Sequence, residues 1–237
     1  MTDASLPLDA LEEQRVRELR IAQNKAERLF GEIEQRGLIR AGLSESRLNE
    51  DIYKLAKEMF GITTYWHKRI VRAGANTLAP YDENPPDLMI GEDDILFLDL
   101  GPVFEDWEAD FGRTFVIGSD PLKLKLRDDV GKAFAEGKRY FDETPDITAC
   151  QLFRYAVTLA NKFDWEFGGS IAGHLIGQFP HDRIAGDKVT LYVHPESHLP
   201  MRSLNEKGQK RHWILEIHFV DREHQIGGFF EELLTVS

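Results

Sequence analysis

The spacing of apolar and polar residues changes period several times along this chain, and each change marks an element. Residues 8–34 are largely charged, with Ala22, Ala26, Leu29, Phe30 and Ile33 recurring at three- and four-residue steps. That spacing puts the five on one face of an amphipathic helix. Gly37 and Gly42 interrupt the pattern, and residues 44–60 resume it with Leu48, Ile52, Leu55 and Met59. A second helix is expected there, with Ser44 or Ser46 accepting a hydrogen bond from an orphan backbone N–H at its start. Both stripes read as core-facing scaffold rather than as a partner-binding arm.

Residues 73–86, AGANTLAPYDENPP, are dense in Gly, Asn and Pro and predict an irregular loop. Residues 95–100 form a short continuous apolar run, which predicts a buried strand carrying one acid, Asp99. Helical composition returns over residues 123–141 and 147–162, and strand composition over 213–219 and 228–236. Helices and strands therefore mix throughout, an α+β pattern. No tandem repeat or low-complexity linker divides the chain, so residues 1–237 are expected to form one catalytic domain, with about 1–40 as an N-terminal helical extension.

Composition narrows the function. With 42% hydrophobic and 30% charged residues, the 237-residue chain has enough apolar content for a packed core. A formal net charge of -12 repels phosphate backbones and anionic lipid, so nucleic acid and membrane are excluded as general partners. The same charge suits cation binding. A single cysteine, Cys150, rules out an internal disulfide framework and a thiolate-rich zinc site, and agrees with a reducing compartment. With no signal-like N-terminus and no apolar stretch of membrane-spanning length, a cytoplasmic location is expected.

Four acids sit where acids are costly. Asp99 lies in ILFLDLG, Asp110 eleven positions later in DWEADFGRTF, Glu216 in HWILEIHFVD and Glu231 in GGFFEELLTVS. Burying an unpaired carboxylate costs several kcal/mol, so a cation must compensate. Arg113 offers one candidate, as an internal salt bridge to either aspartate, but two acids beside one arginine leave excess charge that a divalent ion neutralises better. In GGSIAGHLIGQFPH, His174 is flanked by glycines that permit close backbone approach, and His181 follows seven residues later. Strand alternation puts His218 on the face of Glu216, and sends Glu231 and Glu232 to opposite faces without choosing between them. Oxygen-rich ligation with imidazole favours manganese, cobalt, iron or zinc with open positions. Paired ions of this kind can hold a bridging hydroxide, polarise a carbonyl and orient a substrate, which is hydrolytic chemistry.

The ordered set Asp, Asp, His, Glu, Glu resembles the pita-bread metallopeptidases, the family of methionine aminopeptidase, Xaa-Pro aminopeptidase, prolidase and creatinase. The resemblance runs from the second helix onward and rests on DLGPVFEDWEADFGRTF, GHLIGQFPH, ILEIHF and FFEELLTV. It implies two pseudo-symmetric halves with curved antiparallel sheet and helices outside. It implies five metal ligands, Asp99, Asp110, His174, Glu216 and Glu231, with Asp110 and Glu231 bridging two divalent ions, manganese foremost. It selects Glu231 over Glu232 through the last strand. His181 takes the place of a histidine that stabilises the tetrahedral intermediate, and Glu216 that of a proton shuttle.

Two positions depart from the pattern. Pro80 stands before Tyr81 where members often carry a histidine, so a hydrogen bond is expected to come instead from His67 or His218. Ile217 follows Glu216 where many members place a proline, which turns attention to His218 as a substrate contact. By its length the chain is expected to lack the large N-terminal domain of Xaa-Pro aminopeptidases, a methionine-aminopeptidase-like build, whereas its PYDEN loop and GPVFEDWEADFGRTF stretch resemble the Xaa-Pro group more closely. The expected function is hydrolysis of small peptides or amides by an Xaa-Pro-type aminopeptidase or dipeptidase, with a homodimer compatible with the family. The alternatives are a creatinase-like hydrolase of a non-peptide C–N bond and a non-catalytic binding module.

Overall fold

A computed structural model describes residues 8–180 and 189–236. Among the described residues, four helices, α1 (Leu8–Gln35), α2 (Glu45–Phe60), α3 (Pro121–Glu143) and α4 (Ala149–Lys162), accompany nine strands. The strands are β1 (Ile70–Ala73), β2 (Asp94–Leu100), β3 (Val103–Phe104), β4 (Trp107–Glu108), β5 (Phe111–Ile117), β6 (Glu166–Phe167), β7 (Leu175–Ile176), β8 (His212–Asp221) and β9 (Ile226–Leu233). The main sheet runs β1-β2-β5-β9-β8-β6, antiparallel throughout, with β7 added beside β8.

Each half of that sheet has its own helical cover. Ala22, Ala26, Leu29 and Ile33 of α1 and Leu48, Ile52 and Leu55 of α2 pack with Leu96, Leu98 and Leu100 of β2. Leu126, Val130 and Phe134 of α3 and Leu152, Ala156 and Leu159 of α4 pack with Trp213, Leu215, Ile217 and Phe219 of β8. Period-two alternation in the strands answers period-3.6 stripes in the helices, so one face of the sheet is sealed. β5 and β9 join the halves. The other face carries Phe97 and Asp99 on β2, Glu216 and His218 on β8, and Phe229 and Glu231 on β9.

The helix starts follow their sequence signals. Ser44 caps α2 by accepting from Arg47 N at 3.2 Å, so Ser44 rather than Ser46 is the cap. Gly61 ends α2 in the left-handed conformation, φ 69°. The loop after β1 is more ordered than its composition suggests, because Gly74–Leu78 closes into a 3-10 turn. Buried Glu45 explains this, since its carboxylate accepts from Ala73 N at 2.6 Å, from Asn76 Nδ2 at 2.9 Å and from Leu88 N at 3.2 Å.

Candidate metal centre

Strand register assembles the site in two rows. In the first, Ile70 lies opposite Asp99, Asp99 opposite Gly112, Gly112 opposite Glu231 and Glu231 opposite Glu216. Opposed residues point to the same side of a sheet, so three carboxylates face one space across a glycine gap. Asp110, two residues before Gly112, faces the same space. The gap is obligatory, because a Cβ on Gly112 would lie 2.5 Å from Phe229 Cε1 and 3.1 Å from Glu231 Cβ.

The second row, two residues along each strand, is made of Arg72, Phe97, Thr114, Phe229 and His218. Phe97 and Phe229 stack at 5.2 Å, and His218 meets both rings edge-on at 5.8 and 6.0 Å. Ile70, Asp99, Glu216 and Glu231 of the first row and Arg72, Phe97, His218 and Phe229 of the second, with Trp66 and Tyr81, line a cavity of about 650 Å³. The floor is acidic, and the wall carries Ile70, Phe97 and Phe229 beside Arg72 and His218.

His174 arrives from a segment clamped to β8. Ile214 N donates to His174 O at 2.9 Å and Glu216 N to Ala172 O at 3.2 Å. Gly173 makes the approach possible, with φ at 129° and a would-be Cβ only 2.1 Å from Ile214 O. His174 Nδ1 donates to Leu175 O at 2.8 Å, which turns Nε2 toward Asp110 Oδ2 at 2.9 Å and Glu231 Oε1 at 3.7 Å. His67, from the turn before β1, is oriented in the same way. Its Nδ1 donates to Lys68 O at 2.6 Å, and its Nε2 lies 3.2 Å from Asp110 Oδ1 and 3.4 Å from Asp99 Oδ1.

The crowding of charge shows in the proton affinities. Burial pushes Asp99 up to about 6 against the pull of His67, and pushes Glu216 up to about 8 against that of His174. Glu231 rises well above its ordinary value through burial and the nearby Asp110 and Asp99. Asp110 moves the other way, since His67 and His174 outweigh its burial. Burial would lower both of these imidazoles, but the carboxylates win: His67 rises to about 9, through Asp110 and Asp99, and His174 rises well above the usual range, through Asp110 and Glu231.

These groups fit divalent cations. His67, Asp99 and Asp110 form one cluster and Asp110, His174 and Glu231 another, with ligand atoms in each within 4.8 Å of one another. Asp110 belongs to both. Asp99 Oδ1 and Glu231 Oε2 are buried without a hydrogen-bond partner among the described residues. An acceptor-only oxygen held dry in that way is what a cation would satisfy.

All five expected ligand positions thus face one space, with His67 beside them. His218 stands in the adjoining row, and its Nε2 donates to Thr77 O at 2.8 Å. His181 lies outside the described residues. Of the paired glutamates that strand alternation could not separate, Glu231, the one selected by the resemblance, faces the site, and Glu232 pairs with Arg113 on the other side. Arg113 therefore does not neutralise Asp99 or Asp110. Alternation along β5 sends it to the face opposite Gly112, between the rings of Phe111 and Phe230 at 3.7 Å from each. Sequence reasoning did not find Phe97, Phe229, Gly101 or Gly112. The signal was present, because Phe97 and Phe229 each precede a ligand-type acid by two residues in a strand.

The fold is of the two-halved antiparallel type, and at its centre stand two overlapping clusters of metal-ligand-type side chains. Residues 17–203 match the model of metallopeptidase family M24, and the chain belongs to that family. No curated protein sequence matches it. Among solved structures it is similar to an X-Pro aminopeptidase from Thermotoga maritima, with TM-score 0.74 and 19% identity over 95% of this chain and 62% of that one. A prolidase from Thermococcus sibiricus gives TM-score 0.73 and 18% identity over 95% of this chain and 57% of the other. A methionine aminopeptidase from Rickettsia prowazekii gives TM-score 0.68 and 15% identity over 93% and 92%. The chain thus spans about three-fifths of the first two, and the likeness at this identity is one of fold: the pita-bread fold. Among the described residues no helix is long and apolar enough to cross a membrane.

Proposed function

We propose that this chain is a two-metal-dependent peptidase, an Xaa-Pro-type aminopeptidase or dipeptidase acting on small peptides. The observation that supports this best is the meeting of Asp99, Asp110, His174, Glu216 and Glu231 in one space, with Asp110 common to both ligand clusters. Those five would hold the two ions, with Asp110 and Glu231 serving both. Manganese is the first expectation, and cobalt, iron or zinc suit the same donors. Bound there, such ions lower the pKa of water and polarise a scissile carbonyl.

The rest follows from the chain's own groups. Glu216 is placed to hold a proton at its carboxylate and pass it to the leaving nitrogen. His181, in the GHLIGQFPH stretch that carries the family resemblance, is assigned by that resemblance to the developing oxyanion. Ile70, Phe97 and Phe229 offer an apolar wall that receives a ring or aliphatic side chain of the substrate. A lone, buried cysteine suits a reducing compartment and supports a cytoplasmic location.

The test is elemental analysis before and after chelation, read beside cleavage of Xaa-Pro, Met-Xaa and Xaa-amide substrates. The expected result is two equivalents of metal and chelator-sensitive cleavage, both lost in Asp99→Ala. Unchanged metal content in that variant would sink the assignment. Metal-independent C–N cleavage would instead indicate the creatinase-like chemistry.

A further inference from the structure

We propose that His67 is a sixth protein ligand, which gives each of the two ions one imidazole. This rests on the two-metal reading and deepens it. The ring is built into the centre rather than left at its edge. Its side chain is 5% exposed, and Trp66 packs against it at 4.5 Å while also touching His174 at 4.9 Å. Trp66 is itself fixed, its Nε1 donating to Ala109 O at 3.2 Å.

The tautomer is the one a ligand needs. Lys68 O can only accept, so Nδ1 of His67 carries a hydrogen and Nε2 is the nitrogen that faces the carboxylates, where a cation would take its lone pair. His174 is held in the same manner through Leu175 O. A ligating imidazole is usually oriented by a hydrogen bond of this kind from its other nitrogen. The two rings approach Asp110 from different sides, His67 at Oδ1 and His174 at Oδ2, so the shared aspartate separates two similar half-sites.

Distances agree with shared coordination. Nε2 of His67 stands 3.2 and 3.4 Å from oxygens of Asp110 and Asp99. Donor atoms bound to one ion at about 2.0–2.2 Å stand roughly 3–3.6 Å from each other. The ring also has a dedicated space: a Cβ on Gly101, two residues after Asp99, would lie 2.2 Å from His67 Cδ2 and 2.4 Å from both His67 Nε2 and Trp66 Nε1. Gly101 therefore serves the histidine rather than a turn of the chain.

The experiment is cobalt(II) loading of the full chain, followed by proton NMR of the hyperfine-shifted, solvent-exchangeable N–H resonances. Each ligating imidazole contributes one such signal from Nδ1–H. Two are expected in the native protein, one in His67→Ala and one in His174→Ala. Calorimetry of His67→Ala should show one of two cobalt sites weakened by roughly 10-fold or more, at least the effect of losing a supporting contact to a ligand. Gly101→Ala, which leaves every ligand in the sequence, should lose the same signal by displacing the ring. Two cobalt equivalents with a single exchangeable shifted signal, and unaltered affinity in His67→Ala, would overturn this inference and leave the two-metal reading intact. No cobalt uptake by the native chain would overturn the two-metal reading itself.

Discussion

Replacing Gly173 by alanine tests how closely the fold depends on one missing side chain. The residue has φ at 129°, a region that L side chains rarely adopt, and its new Cβ would lie 2.1 Å from Ile214 O, 2.9 Å from Ile214 C and 3.2 Å from Leu215 Cα. All three are backbone atoms of β8, so no rotamer change relieves the contact. The conformational strain costs about 1–3 kcal/mol, and forcing a methyl into packed space a further 1–3 kcal/mol or so. The sum, roughly 2–6 kcal/mol, is a large part of the ~5–15 kcal/mol that holds a domain together.

Relief requires the 172–174 segment to leave β8, which breaks the bonds from Ile214 N to His174 O and from Glu216 N to Ala172 O. His174 and Glu216 then separate. The expected outcome is a lower urea midpoint with unchanged slope for chelator-treated protein, and loss of metal bound at His174. Gly208→Ala is the control, since Gly208 also has positive φ, 74°, but nothing within 4 Å of its added Cβ. It should show the strain alone, about 1 kcal/mol. A Gly173→Ala protein with the midpoint and metal content of Gly208→Ala would refute the close-approach argument.

Three further outcomes follow from the site and its surroundings. Glu231→Gln should abolish binding of at least one ion with modest loss of stability, whereas Glu232→Gln should keep the metal and lose about 1 kcal/mol, because half-buried Arg113 loses its charged partner but keeps its bonds to Gly112 O and Glu231 O; equal metal content in the two variants would contradict the facing assigned here. Burial lowers His218 from 6.5 to about 4, so the folded protein binds fewer protons than the unfolded chain between those values. That contribution is intact above pH 6.5 and is lost as pH falls toward 4, about 3 kcal/mol in all. His218→Gln should flatten this limb in urea titrations of chelator-treated protein. Phe229→Ala should raise KM for substrates with an apolar ring or side chain more than for glycyl substrates, because it removes half of the Phe97–Phe229 wall; a uniform change across substrates would place that wall outside the binding site.

Much of this molecule was legible in its sequence, for a definable reason. The stripe Ala22, Ala26, Leu29, Phe30 and Ile33 predicted α1, and each of the five is at most 4% exposed. Local periodicity reports which face of an element is buried, and capping chemistry reports where it starts, so helices and buried strands could be read without knowing their partners. The acids in apolar strands were likewise visible, because a carboxylate in such a setting demands compensation wherever the strand lies.

What the sequence left open were relations between distant segments. Periodicity did not decide between Glu231 and Glu232, because a strand offers both faces equally; the family resemblance selected Glu231, and the register of β9 against β5 and β8 turns it toward the site. Arg113 was offered as a partner for the aspartates, yet alternation on β5 sent it to Glu232. His67 stood in the chain as one histidine in a polar turn, 32 residues from Asp99 and 43 from Asp110. Only the pairing of β1 with β2, and the space left by Gly101, brought its Nε2 to the two carboxylates. Periodicity is local and fixes faces, whereas a site is made of distances between faces, and those exist only once the sheet has closed.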